Sequence, residues 1–346
     1  MKLFRCFVVL VATCCLSTAP LASDAQTGQE HATAPLLVVV NQGDKNLSLI
    51  DPVAGHQVAT ISEDQVNVWG HEVAVSPHGH VAFVPIYGSS GVGLPGIDGR
   101  EMLAIDIPSR QIIGKVDFGR GVRPHCVVYD PKSDLLYVTT ELTNSVTIVD
   151  PRTLKIIGSI PTSQPQSHMF AISHDGTRGY TANVSPGSVS VLDIHARKTI
   201  TTIPVSAITQ RISISNDDRM VFTADQTQPR LAVIDTASNT IKTWIPLHSL
   251  GYGSASTPDG RWLLVATKGG EVAVVDLGSL TVTRTISVAG SPQEIIVSPD
   301  GKRAYVSCTR LKQNGQVAVL DLSQWNVQSL IEAGVGADGL AWAPGN

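Results

Sequence analysis

Apolar and polar residues alternate in short runs along the chain, as in Leu47-Ser-Leu-Ile-Asp51, Val146-Thr-Ile-Val-Asp150 and Val272-Ala-Val-Val-Asp276. A period of two over such lengths predicts half-buried β-strands, because successive side chains on a strand face opposite ways. A second pattern precedes these runs. In Ser298-Pro-Asp-Gly-Lys-Arg-Ala-Tyr-Val-Ser307 a tight turn separates two apolar segments. Proline presets φ and glycine accepts positive φ, so this reads as a hairpin between strands A and B. The run ending on Asp is then strand C, and the Thr/Ile/Val run behind it, as in Thr281-Val-Thr-Arg-Thr-Ile286, is strand D.

The pattern recurs seven times. The closing aspartates are Asp51, Asp106, Asp150, Asp193, Asp235, Asp276 and Asp321, with gaps of 55, 44, 43, 42, 41 and 45 residues. The turn residues Pro77, Pro131, His174, Asn216, Pro258, Pro299 and Pro344 keep the same spacing to within one residue. A period near forty with four strands per unit predicts an all-β, seven-bladed β-propeller of antiparallel blades. The ends complement each other. Leu36-Leu-Val-Val-Val-Asn41 is a strand B without a strand A, and Gly339-Leu-Ala-Trp-Ala-Pro344 is a strand A without a strand B. Pairing them completes one blade and removes two exposed sheet edges. Because the closing aspartates recur in every unit, they are read as caps of the C–D turn rather than as chemistry.

Leu136-Tyr-Val-Thr-Thr140, Ala304-Tyr-Val-Ser-Cys308 and Gly179-Tyr-Thr-Ala-Asn183 are variants of one Tyr-Val-Thr-Asn theme. With Ser298-Pro-Asp-Gly301 and the closing Ile/Val-Asp, they resemble the YVTN-repeat β-propeller family of secreted and surface-layer bacterial proteins. That resemblance implies the fold and export, and leaves the activity open.

The first 25 residues do not fit the repeat. Lys2 and Arg5 precede the apolar run Phe7–Leu16, and Ser23-Asp24-Ala25 offers a small-residue cleavage site. This predicts a secretory leader over 1–25, one propeller domain over 26–346, and a periplasmic or extracellular location. Thr13 before Cys14 is a poor fit to a lipoprotein signal. No later apolar run is long enough to span a bilayer. The formal net charge of −4 moves only to −5 when Lys2, Arg5 and Asp24 leave. A mildly acidic chain has no electrostatic reason to bind nucleic acid. Only Cys126 and Cys308 remain of five cysteines, so the fold must be held by its core rather than by disulfides.

Candidate chemistry comes from the innermost strand. Six positions before each turn residue stand His71, His125, His168, Gln210, Tyr252, Gln293 and Asp338, all polar or ionisable, with Glu72, Arg211 and Glu294 beside them. These positions surround one mouth of the central channel. His71, His125, His168, Gln210, Arg211, Tyr252, Gln293 and Asp338 are therefore the expected site for a small molecule or a protein segment, with Arg211 available to an anionic group. The three histidines on consecutive blades also suit a divalent transition metal, which would support a lyase or hydrolase acting on a lactone or sugar acid. Glu72 or Tyr252 is then the candidate acid or base. A third reading has the histidines bonding only to loop backbone. The long gap holds Tyr87-Gly-Ser-Ser-Gly-Val-Gly-Leu-Pro-Gly-Ile-Asp-Gly-Arg100, a loop expected to arch over the same mouth. Cys308 ends a strand B near that mouth, whereas His78, His80 and His174 fall in turns on the opposite face.

Overall fold

The computed structural model describes Met1, residues 34–310 and residues 312–345, and the leader read over 1–25 lies, beyond Met1, outside the described residues. The chain from residue 34 builds seven antiparallel sheets of four strands each, with strand A of the second blade split in two. A single turn of 3₁₀ helix, Glu141–Thr143, is the only helical element among the described residues.

Blade 3 is typical, running Pro124–Asp130, Leu135–Thr140, Ser145–Asp150 and Lys155–Pro161 from strand A to strand D. The A strands of successive blades contact one another and form the innermost ring. In blade 1 the C-terminal Ala337–Ala343 pairs antiparallel with Leu36–Asn41, which continues into Asn46–Asp51 and His56–Ser62. First and last strands thus share one sheet, and neither leaves an open inner edge.

Strand composition explains the layering. Strands B and C are buried nearly throughout, whereas strand D buries mainly one residue near its end, such as Ile160. The tyrosine of the Tyr-Val-Thr theme packs between blades. Tyr137 stacks on Phe170 at 5.9 Å between centroids, and Tyr305 lies 5.8 Å from Trp342 on the closing strand. Rings of this size bury a large apolar area and fix the blade-to-blade angle. The closing aspartates cap the C–D turn: Asp51 accepts from the amides of Val53 and Ala54, both at 2.8 Å. Asp150 does the same for Arg152 at 2.8 Å.

Blade 2 departs from the pattern. Its strand A is two pieces, Trp69–Gly70 and Ala74–Val75, interrupted at His71-Glu72-Val73. The expected 87–100 loop is shorter than its sequence span. Strand B continues to Gly88 and strand C begins at Asp98, because Ile86 and Gly88 still pair with Glu101 and Asp98.

Candidate functional site

The inner strands are bulged where the candidate residues lie. In blade 5, Thr209 opposes Asp225 and Ile212 opposes Thr223, so Gln210 and Arg211 together face Ala224 alone. Two residues also face one at His125-Cys126, Tyr252-Gly253, Gln293-Glu294 and Asp338-Gly339, and the register slips at His168. A bulge turns its strand and re-aims a side chain that regular alternation would bury. Repeating it blade after blade points a ring of polar groups into the channel.

The third residue of the Tyr-Val-Thr theme holds the bulge. Thr139 Oγ1 accepts from the Cys126 amide at 2.9 Å and donates to the His168 carbonyl of the next blade at 2.8 Å. Ser307 repeats this between the Glu294 amide and the Asp338 carbonyl. Gly339 is required at its bulge, since a Cβ there would lie 2.4 Å from the His71 carbonyl oxygen.

All eight residues expected at the mouth line one cavity of about 280 Å³, together with Gln42, Gly91, Val92, Thr309 and Gly336. Gly91 and Val92 belong to the long loop, which therefore reaches the mouth. Buried Arg123 pins that loop by donating to Asp98 at 2.5 Å and to the Leu94 carbonyl at 2.8 Å.

Arg211 forms the floor. From blade 5 it crosses the channel, Nη1 donating to Glu72 at 2.6 Å and Glu294 at 2.7 Å, Nη2 to Asp338 at 2.9 Å. Its guanidinium carbon lies 4.8 Å from the centre of the Tyr252 ring. Burial raises the carboxyls of Glu72, Glu294 and Asp338 above their ordinary range, and Arg211 pulls each back down. Glu72, read as a candidate acid or base, is held against Arg211 and is not among the residues lining the cavity. Arg211 is likewise occupied rather than open to an anion.

The histidines occupy the wall on the blade 2 to blade 4 side. His125 and His168 stack with ring centroids 3.5 Å apart, and His71 lies 5.2 Å from His125. Burial, with the His168 and Arg211 charges nearby, pushes His71 down to about 3. Burial also holds His125 well below the usual imidazole range. Both are uncharged near neutral pH. His168 donates through Nδ1 to Glu141, whose other oxygen accepts from the Tyr87 hydroxyl at 2.8 Å. Its Nε2 then accepts from the Gln210 amide, 3.4 Å away.

The metal-ligand set expected of His71, His125 and His168 is not preassembled among the described residues. Among the described residues no group of three or more His, Cys, Asp or Glu side chains is placed to hold a metal ion. Stacking sets the imidazole faces of His125 and His168 against each other, and Glu141 occupies one nitrogen of His168. Cys308 lies near the end of its strand B as expected, and its side chain is fully buried in the core shared with the preceding blade, where burial pushes its thiol up to about 12. His174 sits in an exposed turn and pairs with Asp218 at 2.6 Å.

Gln42, Tyr87, Glu141 and Thr309 were not counted as site residues from the sequence. Each lies at or just beyond the end of a strand B, the other segment that reaches the mouth face. A count forward along strand B would have found them.

The fold and site define a seven-bladed propeller with a polar cavity at one end of a channel floored by a buried ion cluster. Residues 31–243 match the model of the family described as lactonase, 7-bladed beta-propeller, and the chain belongs to that family. Antigen Lp49 of Leptospira interrogans is 24% identical over 204 residues, covering 52% of this chain and 44% of Lp49. The uncharacterized protein YncE of Salmonella typhi is 22% identical over 205 residues, 58% of each chain. The chain thus spans about half the length of the curated relatives it matches. Among solved structures, a functionally unknown protein from Desulfotomaculum acetoxidans superposes with a TM-score of 0.74 at 14% identity, covering 90% of this chain and 99% of that one. Dihydro-heme d1 dehydrogenase NirN in complex with DHE gives 0.65 at 14% identity, over 94% and 79%. At such identities these likenesses show the fold alone.

Proposed function

We propose that the protein binds a small ligand in the mouth cavity and that it is an exported propeller of the YVTN-repeat type. The observation that carries the binding reading is unmet hydrogen-bonding capacity: His71 Nε2 and His125 Nδ1 are buried, belong to residues lining the cavity and have no partner among the described residues. Buried polar atoms are costly to leave unpaired, and a ligand that supplies partners recovers that cost. The cavity volume of about 280 Å³ suits a compact molecule better than a folded partner. A protein segment would have to enter as a single side chain or chain end. Export rests on the leader-like residues 1–25 and the Tyr-Val-Thr repeats; no helix among the described residues is long and apolar enough to cross a membrane.

Ligand-observed NMR with a fragment library, on the wild type and the His71→Ala/His125→Ala variant, tests this reading. We expect at least one fragment to lose tenfold or more in affinity in the variant while the melting temperature holds. Fragments that bind both proteins equally would place the ligand elsewhere.

A second reading, hydrolysis of a lactone without a metal, is favoured by one arrangement. With Glu141 on Nδ1, His168 presents Nε2 as an acceptor beside the cavity, held there only by the Gln210 amide at 3.4 Å, the disposition of a general base once a water molecule displaces that amide. δ-Gluconolactone opening above the uncatalysed rate, lost in His168→Ala but not in His174→Ala, is the expected result for this reading. No acceleration by the wild type over a range of such lactones would remove it.

A further inference from the structure

The wall of the cavity restricts the charge of what can occupy it, an inference that rests on the mouth being the ligand site. Among the described residues Arg211 is the one guanidinium lining the cavity, and both of its terminal nitrogens already serve Glu72, Glu294 and Asp338. One cation among three carboxyl groups leaves the floor negative while two or more of them are ionised, and neutral while one is. His71 and His125 are held uncharged, and His168 is paired with Glu141. Lys268 lies 5.7 Å from the Tyr252 ring centre but outside the lining. An anion entering this cavity would give up its hydration and find no free positive charge.

An amine fares no better, because of where the hydrogens sit. The Gln42 amide nitrogen donates to Asp338 and lies 3.2 Å from His71 Nδ1. An amide nitrogen has only hydrogens to offer, so His71 Nδ1 accepts and the imidazole proton is on Nε2. That N–H is buried without a partner among the described residues, and so is Nε–H of Arg211. Both call for an acceptor oxygen. Of the three carboxyl groups an ammonium would meet only Asp338 on the lining, and both of its oxygens already accept, from Gln42 and from Arg211.

We propose that the cavity takes an uncharged, oxygen-rich molecule of about monosaccharide size, a cyclic sugar or polyol. Its oxygens accept from His71 Nε2, and its hydroxyls exchange hydrogen bonds with the carboxamides of Gln210 and Gln293. One C–H face lies against the Tyr252 ring, which Arg211 backs. The cavity of about 280 Å³ has room for one such ring.

The test is a set of matched monosaccharides and polyols, each in a neutral, an amino and a carboxylate form on one skeleton (glucose, glucosamine and glucuronate among them). Each is titrated by NMR against the wild type and His71→Ala. We expect neutral members to bind at least tenfold more tightly than their charged counterparts and to lose that binding in the variant. Tighter binding by a charged member, also lost in His71→Ala, would overturn the charge class and leave the mouth standing as the site. If no member bound, or if the variant changed nothing, the sugar and polyol class would fall. The fragment screen then decides separately whether the mouth binds any ligand.

Discussion

Arg211→Leu is expected to lower the unfolding free energy by about 3–5 kcal/mol at pH 8, the size found when one partner of a buried ion pair is removed. Arg211 is 3% exposed and is bonded to three carboxylates contributed by three other blades. Leucine fills much of the space and leaves Glu72, Glu294 and Asp338 facing one another without a cation. Those groups already have folded-state pKa values above the ordinary 4.5 for Glu and 3.8 for Asp. Without Arg211, the Coulomb pull that restrains the rise is gone. A carboxyl raised in the folded state gives stability that is fully present below its unfolded pKa and lost as pH rises through the folded value. The deficit of the variant therefore shrinks as the pH falls toward 4.5. Urea unfolding at pH 5 and pH 8 reads this directly. Adding Glu72→Gln to Arg211→Leu should return part of the loss at pH 8, because one repelling charge is gone. A loss below about 1 kcal/mol, or one equal at both pH values, would contradict the reading of Arg211 as the counter-ion of the channel.

The repeat spacing made the seven blades legible, since a turn and a closing aspartate in every unit fix four strands each. The mouth residues were legible for a related reason. Counting a fixed number of residues back from the turn works because nearly every inner strand bulges at one height, so that position always enters the channel. The state of those residues was not legible. Arg211 looked free, yet its partners stand 139, 83 and 127 residues away, brought together only when the ring closes. Three histidines on neighbouring blades looked like metal ligands because spacing reports where a Cα lies. Whether imidazoles converge or stack depends on side-chain rotation, and here Glu141 and a neighbouring ring decide it. Glu63 carried no signal at all, being one acidic residue in an irregular connection.

That connection gives the second large effect. Glu63 follows strand D of blade 1, is fully buried, accepts from the Gly70 amide at 3.0 Å through Oε2, and has no partner for Oε1 among the described residues. Burial pushes its carboxyl up from 4.5 to about 7, against the smaller opposing pulls of the Gly70 amide and Lys45. The folded protein thus holds a proton on Glu63 that the unfolded chain releases above about pH 4.5. The sign follows: this contribution is fully present below 4.5 and is lost as pH rises through about 7. At about 1.36 kcal/mol per unit, the shift amounts to about 3 kcal/mol of stability lost by pH 8. Glu63→Gln keeps the shape and an acceptor for Gly70 but cannot ionise. The variant and the wild type should be nearly equal in stability at pH 4.5, and the variant should be more stable by about 2–3 kcal/mol at pH 8. Because the Arg211 cluster titrates identically in both proteins, subtracting one stability profile from the other isolates Glu63. A difference that stays constant across this range would mean that Glu63 is not the titrating group. A difference that opens as the pH rises from 4.5 through about 7 would identify Glu63 as the buried group whose ionisation destabilises the fold.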